Sequence, residues 1–352
     1  MAAGDFSAST LYNVQRRMLD MFNGPRQQPN INMPFPSLTA ALTRQTARFD
    51  PIQTGTRQTR GVEVSFLKGA ITVNDAASTP VTTCTIGGDE GESDKITMTP
   101  TEDLWAEFSV MDVDVNDIYT FEEKVAQRYA KAIATLRVAW NNKVLAYFNS
   151  NIATTPIIRA GDGTLNGNVI EVAKATLNTA EYIATMAAIA AENDMYTPFM
   201  LSARMFWVPK YSAQFKSPMC CSMDAIFGGP FDIAFDIKNL DTYVGTDSVL
   251  LIDPASYAFW PHNHFQNDTP ELKASDTRVW RQQDPFLQYA DGGVLKPVYY
   301  DVIAQHKCII NTPDTPDAER WGTNFRIHAR YGKTLAPNPN GLKNGIIEFQ
   351  GV

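Results

Sequence analysis

The chain has 352 residues, a formal net charge of −8, a pI near 5.1, and 44% hydrophobic, 19% charged and 11% aromatic residues. This is globular composition with ample material for a core, which excludes disorder of the whole chain. The acidic balance excludes nucleic-acid binding over a broad basic face.

The charge is unevenly placed. Residues 1 to 68 hold eight basic side chains against four acids, so they carry +4 and the remainder −12. Cys84, Cys220, Cys221 and Cys308 form no CxxC pair, and adjacent cysteines bridge only in strained geometry. Buried thiols in a reducing cytoplasm are therefore expected, with neither a zinc site nor a disulfide framework. The chain begins without the order of a signal peptide, and no apolar run reaches the ~18 residues of a membrane span, so no membrane association is expected. No linker divides the chain, which points to one interlocked unit with lobes.

Residues 1–61 read as an arm that lies on something other than its own core. They are rich in Gln, Asn, Arg, Pro and Thr, with one short amphipathic stretch (Leu11, Val14, Met18, Leu19, Phe22). Pro25, Pro29, Pro34 and Pro36 then favour extended chain. Arg16, Arg17 and Arg26 are candidate contacts of this arm, suited by charge to phosphates or carboxylates of a partner.

From Val62 the pattern turns to β. VEVSFLKGAITV and KITMTPTEDLWAEFSVMDVDV flank a polar, turn-rich stretch, which predicts a long two-stranded flap over about 62–100 that needs a neighbour to rest on. Thr120 and Glu123 form a Thr-x-x-Glu capping box. A long helix is expected to follow, carrying Phe121, Val125, Tyr129, Ile133, Leu136, Trp140, Val144 and Phe148 on one stripe. About 28 helical residues would span ~42 Å. A second helix is expected from about Val169 to Glu192, then a strand at Phe199–Leu201 and a short helix from Arg204 to Phe215. The strand-like runs FDIAFDI, VLLIDPASYAFW, VWRQQ, VYYDVIAQHKCIIN and NFRIHARYG complete an α+β layout with mixed sheets.

Catalytic signatures are sparse. His262 and His264 alternate and could share a strand face as metal ligands, which would suit a metal-dependent hydrolase, but they need a further ligand, and His306 and His328 stand isolated in the sequence. Asp112, Asp114 and Asp117 lack the glycine and terminal glutamate of a calcium loop and suit the approach to a helix N-terminus. Gly87–Ser93 (GGDEGES) is not followed by the Lys-Ser/Thr of a phosphate loop, and no Gly-x-Ser-x-Gly elbow occurs. No cofactor, metal or catalytic residue is expected, and a non-enzymatic role is.

The order of arm, flap, long helix (Thr120 to Asn151), the stretch AEYIATMAAIAAENDMYTPFMLSARMFWVPKYSAQF, the stretch GGPFDIAFDIKNLDTYVGTDSVLLIDPASYAFW and the closing NFRIHARYGKTLAPNPNGLKNGIIEF resembles the major capsid proteins of tailed double-stranded DNA bacteriophages. That is the Hong Kong 97-type capsid fold, shared with encapsulin shells. The resemblance implies an arm (1–61), an extended β-hairpin loop (62–100), a peripheral domain with the spine helix (101–160), an axial domain with its connections (161–295) and strands returning to the peripheral domain (296–352). It also implies self-assembly of pentamers and hexamers into an icosahedral head around packaged DNA, made in the host cytoplasm. Portal and scaffolding or decoration proteins would be further partners. An encapsulin-like compartment is the alternative.

Overall fold

The computed structural model describes residues 12–17, 35–47, 62–68, 92–98, 100–111, 120–177, 179–195, 197–202, 231–236, 240–245, 247–274, 276–310, 319–335 and 345–352. Arg26, the short helix expected at 204–215, the acidic run from Asp112 to Asp117, most of the flap tip, and Cys84, Cys220 and Cys221 lie outside these residues.

After a short helical stretch at 12–17, the elements in chain order are helix α1 (Pro36–Arg44) and strands β1 (Val62–Lys68), β2 (Glu92–Met98) and β3 (Pro100–Met111). The long helix α2 (Phe121–Ser150) follows, then β4 (Thr164–Asn166), β5 (Val169–Val172), α3 (Lys174–Leu177), α4 (Ala180–Glu192) and β6 (Phe199–Ser202). Next come β7 (Asp232–Phe235), α5 (Leu240–Tyr243), β8 (Ser248–Ile252), β9 (Tyr257–His262) and β10 (Glu271–Ala274). The chain continues with β11 (Thr277–Asp291), β12 (Val294–Ile310), β13 (Glu319–Leu335) and β14 (Ile346–Gly351). The fold is α+β.

Helix α2 starts where its capping box dictates. Thr120 Oγ1 accepts from Glu123 N at 3.4 Å and Glu123 Oε2 accepts from Thr120 N at 2.9 Å, so two of the donors left free by the first turn are satisfied. Its 30 residues span about 45 Å at 1.5 Å each.

One stripe of α2 packs on the first large sheet, ordered β10-β11-β12-β13-β3, with β9 pairing the far end of β13. Val125, Tyr129, Ile133, Leu136, Trp140, Val144 and Phe148 are buried, and half-buried Phe121 packs against the same core. Trp140 stacks on Tyr331 with ring centroids 4.9 Å apart, and Phe148 meets Phe259 edge-on at 5.8 Å. Between β11 and β12 the hairpin turns through Gly292 (φ 56°) and Gly293 (φ 88°), the double positive φ that a two-residue type I′ turn requires.

The second sheet runs β4-β5-β14-β8-β6-β7. Helix α4 covers one face with Tyr182, Met186 and Ile189, while Leu250, Ile252 and Ile346 turn the other face to the core shared with α2. The helix expected from Val169 begins instead at Ala180, capped by Thr179. Residues 169–172 form β5, because Val169, Ile170 and Val172 suit a strand and β14 offers a parallel partner. The sheet boundary also differs from the expected division at 160 and 295. Strands β9, β10 and β11 belong with β3, whereas β14 belongs to the second sheet.

The expected extended arm requires a further correction. Pro36 occupies the first turn of α1, where its missing N–H costs nothing. Leu38, Ala41 and Leu42 are fully buried in the chain's own core, and Val14 is 1% exposed. Residues 35–47 tie both sheets to α2. Leu38 N donates to Asn141 Oδ1 at 2.9 Å, Tyr257 Oη donates to Ala41 O at 2.9 Å, and the buried Gln45 amide bonds to Phe259 N, Phe259 O and Ala290 O. Arg44 reaches the second sheet, donating to Asp232 O at 3.3 Å. Leu42→Ala should therefore cost about 2–5 kcal/mol of unfolding free energy, the range for a truncated core leucine, in urea denaturation of the subunit. A change below about 0.5 kcal/mol, the scale of surface substitutions, would place α1 outside the core.

Candidate functional site

Three polar constellations stand out against the apolar framework. The first lies at the start of α2, where Arg17 pairs with Glu122 and Glu123 of its own chain. The backbone bond from Thr120 and the Arg17 contact hold the Glu123 carboxyl below its ordinary pKa. The charge favours the positive end of the helix dipole. Arg16, one position away, is exposed. The structure thus brings Arg17, but not Arg16, onto the helix.

The second constellation is buried between α2 and β11. Arg137 Nε donates to Asp284 Oδ2 at 2.8 Å and Nη2 to Oδ1 at 2.7 Å, a bidentate pair whose side chains are 2% and 0% exposed. Asp284 sits in the irregular stretch between Gln283 and Gln288, where β11 departs from regular pairing with β12. That departure lets Phe286 N and Leu287 N donate to the same carboxylate at 2.7 and 2.9 Å, and Tyr300 Oη donates to it at 2.6 Å. The guanidinium also lies over the Phe286 ring, 5.0 Å from its centroid. Burial opposes the charge on Arg137, but Asp284 and Tyr300 together more than offset this and its pKa is raised. Burial likewise pushes the Tyr300 phenol well up, so it remains a donor.

The sequence missed this site. Its signal is a second buried stripe on α2 of Ala126, Ala130, Ala134, Arg137, Asn141 and Leu145, in which the two polar residues disguise the pattern.

The third constellation lies where β9 takes over from β12 as the neighbour of β13. Asp301 pairs with His328 across β12 and β13, and His262 pairs with Arg330 across β9 and β13. Asp301 is fully buried and accepts from Arg330 Nη1 at 2.5 Å, His264 N at 2.8 Å, Phe265 N at 3.1 Å and Asn263 Nδ2 at 3.4 Å. Arg330 Nε also donates to Asp103 at 3.1 Å, and His328 Nδ1 lies 2.9 Å from the same carboxylate. The rings of His262 and His264 are 5.2 Å apart, so the two do meet, and His328 joins them through Asp103 and Arg330. His306 stands apart beside Thr323. Among the described residues no group of three or more His, Cys, Asp or Glu is arranged to hold a metal ion. The carboxylates here are taken up by backbone donors, the Asn263 amide, the Arg330 guanidinium and the His328 imidazole.

Removing one partner of the Arg137 pair would strand a buried carboxylate. Arg137→Met should lower the unfolding free energy by about 3–5 kcal/mol. Adding Asp284→Asn should recover part of the loss, since its oxygen still accepts from Phe286 and Leu287 without a charge. Urea titration of both variants measures the two values, and an Arg137→Met loss under about 1 kcal/mol would mean the pair is solvated.

No protein-family model matches the chain, and no curated protein is significantly similar to it in sequence. Among the described residues no helix is long and apolar enough to cross a membrane. Solved structures are similar in arrangement at low identity. A chain of Mycobacterium phage Adephagia is 11% identical with a TM-score of 0.47, covering 90% of each chain. The capsid asymmetric unit of cyanophage A-1(L) is 11% identical with a TM-score of 0.47, covering 90% of this chain and 93% of that one. The capsid of a native GTA particle is 12% identical with a TM-score of 0.41, covering 91% of each.

Proposed function

We propose that this chain is a non-enzymatic shell subunit, the major capsid protein of a tailed phage, which assembles with copies of itself into a closed icosahedral head around double-stranded DNA. The observation that carries the reading is the β1–β2 hairpin. Its strands pair in uninterrupted antiparallel register from Val62↔Met98 to Lys68↔Glu92, and among the described residues no third strand joins them. A two-stranded ribbon is marginal alone and gains stability on a neighbour's surface. In this reading α2 with the β3 and β9–β13 sheet is the peripheral domain, and the β14-centred sheet is the axial domain. Virion location, assembly in the host cytoplasm, and portal, scaffolding or decoration partners belong to the same proposal.

The basic arm enters with its roles divided. Arg17 pairs with Glu122 and Glu123 of its own subunit, and the exposed Arg16 is the arm residue that would face DNA or a neighbouring copy. Purified full-length protein should form closed shells of pentamers and hexamers by light scattering and negative-stain microscopy. A stable, monodisperse monomer at high concentration would overturn the reading. In DNA-filled shells Arg16→Gln should lower thermal stability in a salt-dependent way and leave empty shells unchanged, whereas Arg17→Gln should weaken both.

A further inference from the structure

The strand fork around Asp301 contains two imidazoles that are 5% and 7% exposed, His262 and His328, and each buries an Nε2 with no hydrogen-bond partner. His328 is held on its other nitrogen by Asp103. The ring of His262 lies against Trp260, with centroids 5.3 Å apart, and it occupies the last position of β9.

The segment after it, residues 263–265, is fastened chiefly to one carboxylate. Asp301 takes the N–H groups of His264 and Phe265, and Asn263 Nδ2 bonds Tyr299 O at 3.1 Å as well as Asp301. Every charged or titratable group facing His262 bears on its proton. His264 and Arg330 oppose a charge there and Asp301 favours one, while Asp103 and His328 act at one remove through Arg330 and His264.

We infer that His262 is a proton-operated latch, closed when neutral, whose protonation frees the end of β9 and the 263–265 turn from Asp301 while the rest of the subunit stays folded. The buried Nε2 has no acceptor to receive an added proton, so the charged ring must reach water. Moving it there pulls on the adjoining turn and leaves Arg330 as the remaining partner of Asp301. The inference concerns the subunit fold and does not depend on the shell reading.

Burial, aided by His264, lowers the His262 pKa from 6.5 to about 4 in the closed form. An open form with the ordinary value binds the proton more tightly, so opening becomes easier as pH falls from 6.5 towards 4 and levels off below. Between pH 7 and pH 5 the opening constant should rise roughly twentyfold.

Hydrogen exchange of the full chain, followed by mass spectrometry and normalised to intrinsic rates at each pH, tests this. The amides of His264 and Phe265, which donate to Asp301, should lose protection by roughly twentyfold at pH 5, reversibly, while those of 121–150 keep theirs. His262→Phe, which fills the site but cannot protonate, should keep protection at pH 5, and His262→Gln serves if the phenylalanine variant does not fold. The latch is overturned if the His264 and Phe265 amides exchange equally at both pH values, if the long helix opens in the same step, or if the variant that folds loses as much protection as the parent.

Discussion

A charged group placed in an apolar interior has to be answered, and the answer to Arg137 organises the molecule. The long helix could slide or rotate on a sheet of aromatic and aliphatic side chains at modest cost, because apolar contacts are non-directional. The bidentate pair with Asp284 removes that freedom: its two bonds of 2.7 and 2.8 Å exist in only one register. The pair also requires β11 to leave its ladder between Gln283 and Gln288, so an irregularity in the sheet and a polar residue in the helix are two halves of one constraint.

The segment 35–47 acts on the same face of α2, one turn beyond this pair. Its bonds to Asn141, Phe259, Ala290 and Asp232 touch the helix and both sheets, which makes the two lobes thermodynamically dependent on each other. Asn141 in turn donates to Asp236 at 3.2 Å, carrying the connection to the end of β7.

What could be read from sequence follows the range of the interaction. The capping box at Thr120 and Glu123 and the stripe from Phe121 to Phe148 were legible because both are local patterns with a fixed period. The second face of α2 was not, since Arg137 and Asn141 look like solvated residues until Asp284, 147 positions from Arg137, is brought beside it. Pro34 and Pro36 read as breakers of regular structure, yet Pro36 opens α1, and only tertiary burial of Leu38 and Leu42 distinguishes a helix start from an extended arm. His262 and His264 were legible as a pair, but the strand fork that gathers Asp103, Asp301, His328 and Arg330 around them comes from pairing between distant strands.

The placement of β14 has a consequence for the order of events during synthesis. This strand lies inside the second sheet, parallel to β5 on one side and antiparallel to β8 on the other. Until the ribosome has released residue 351, β5 and β8 have a gap between them and the hydrophobic face under α4 lacks Ile347 and Phe349. A nascent chain therefore carries an unfinished lobe however early its long helix forms, and that lobe cannot close before β14 has emerged from the ribosome.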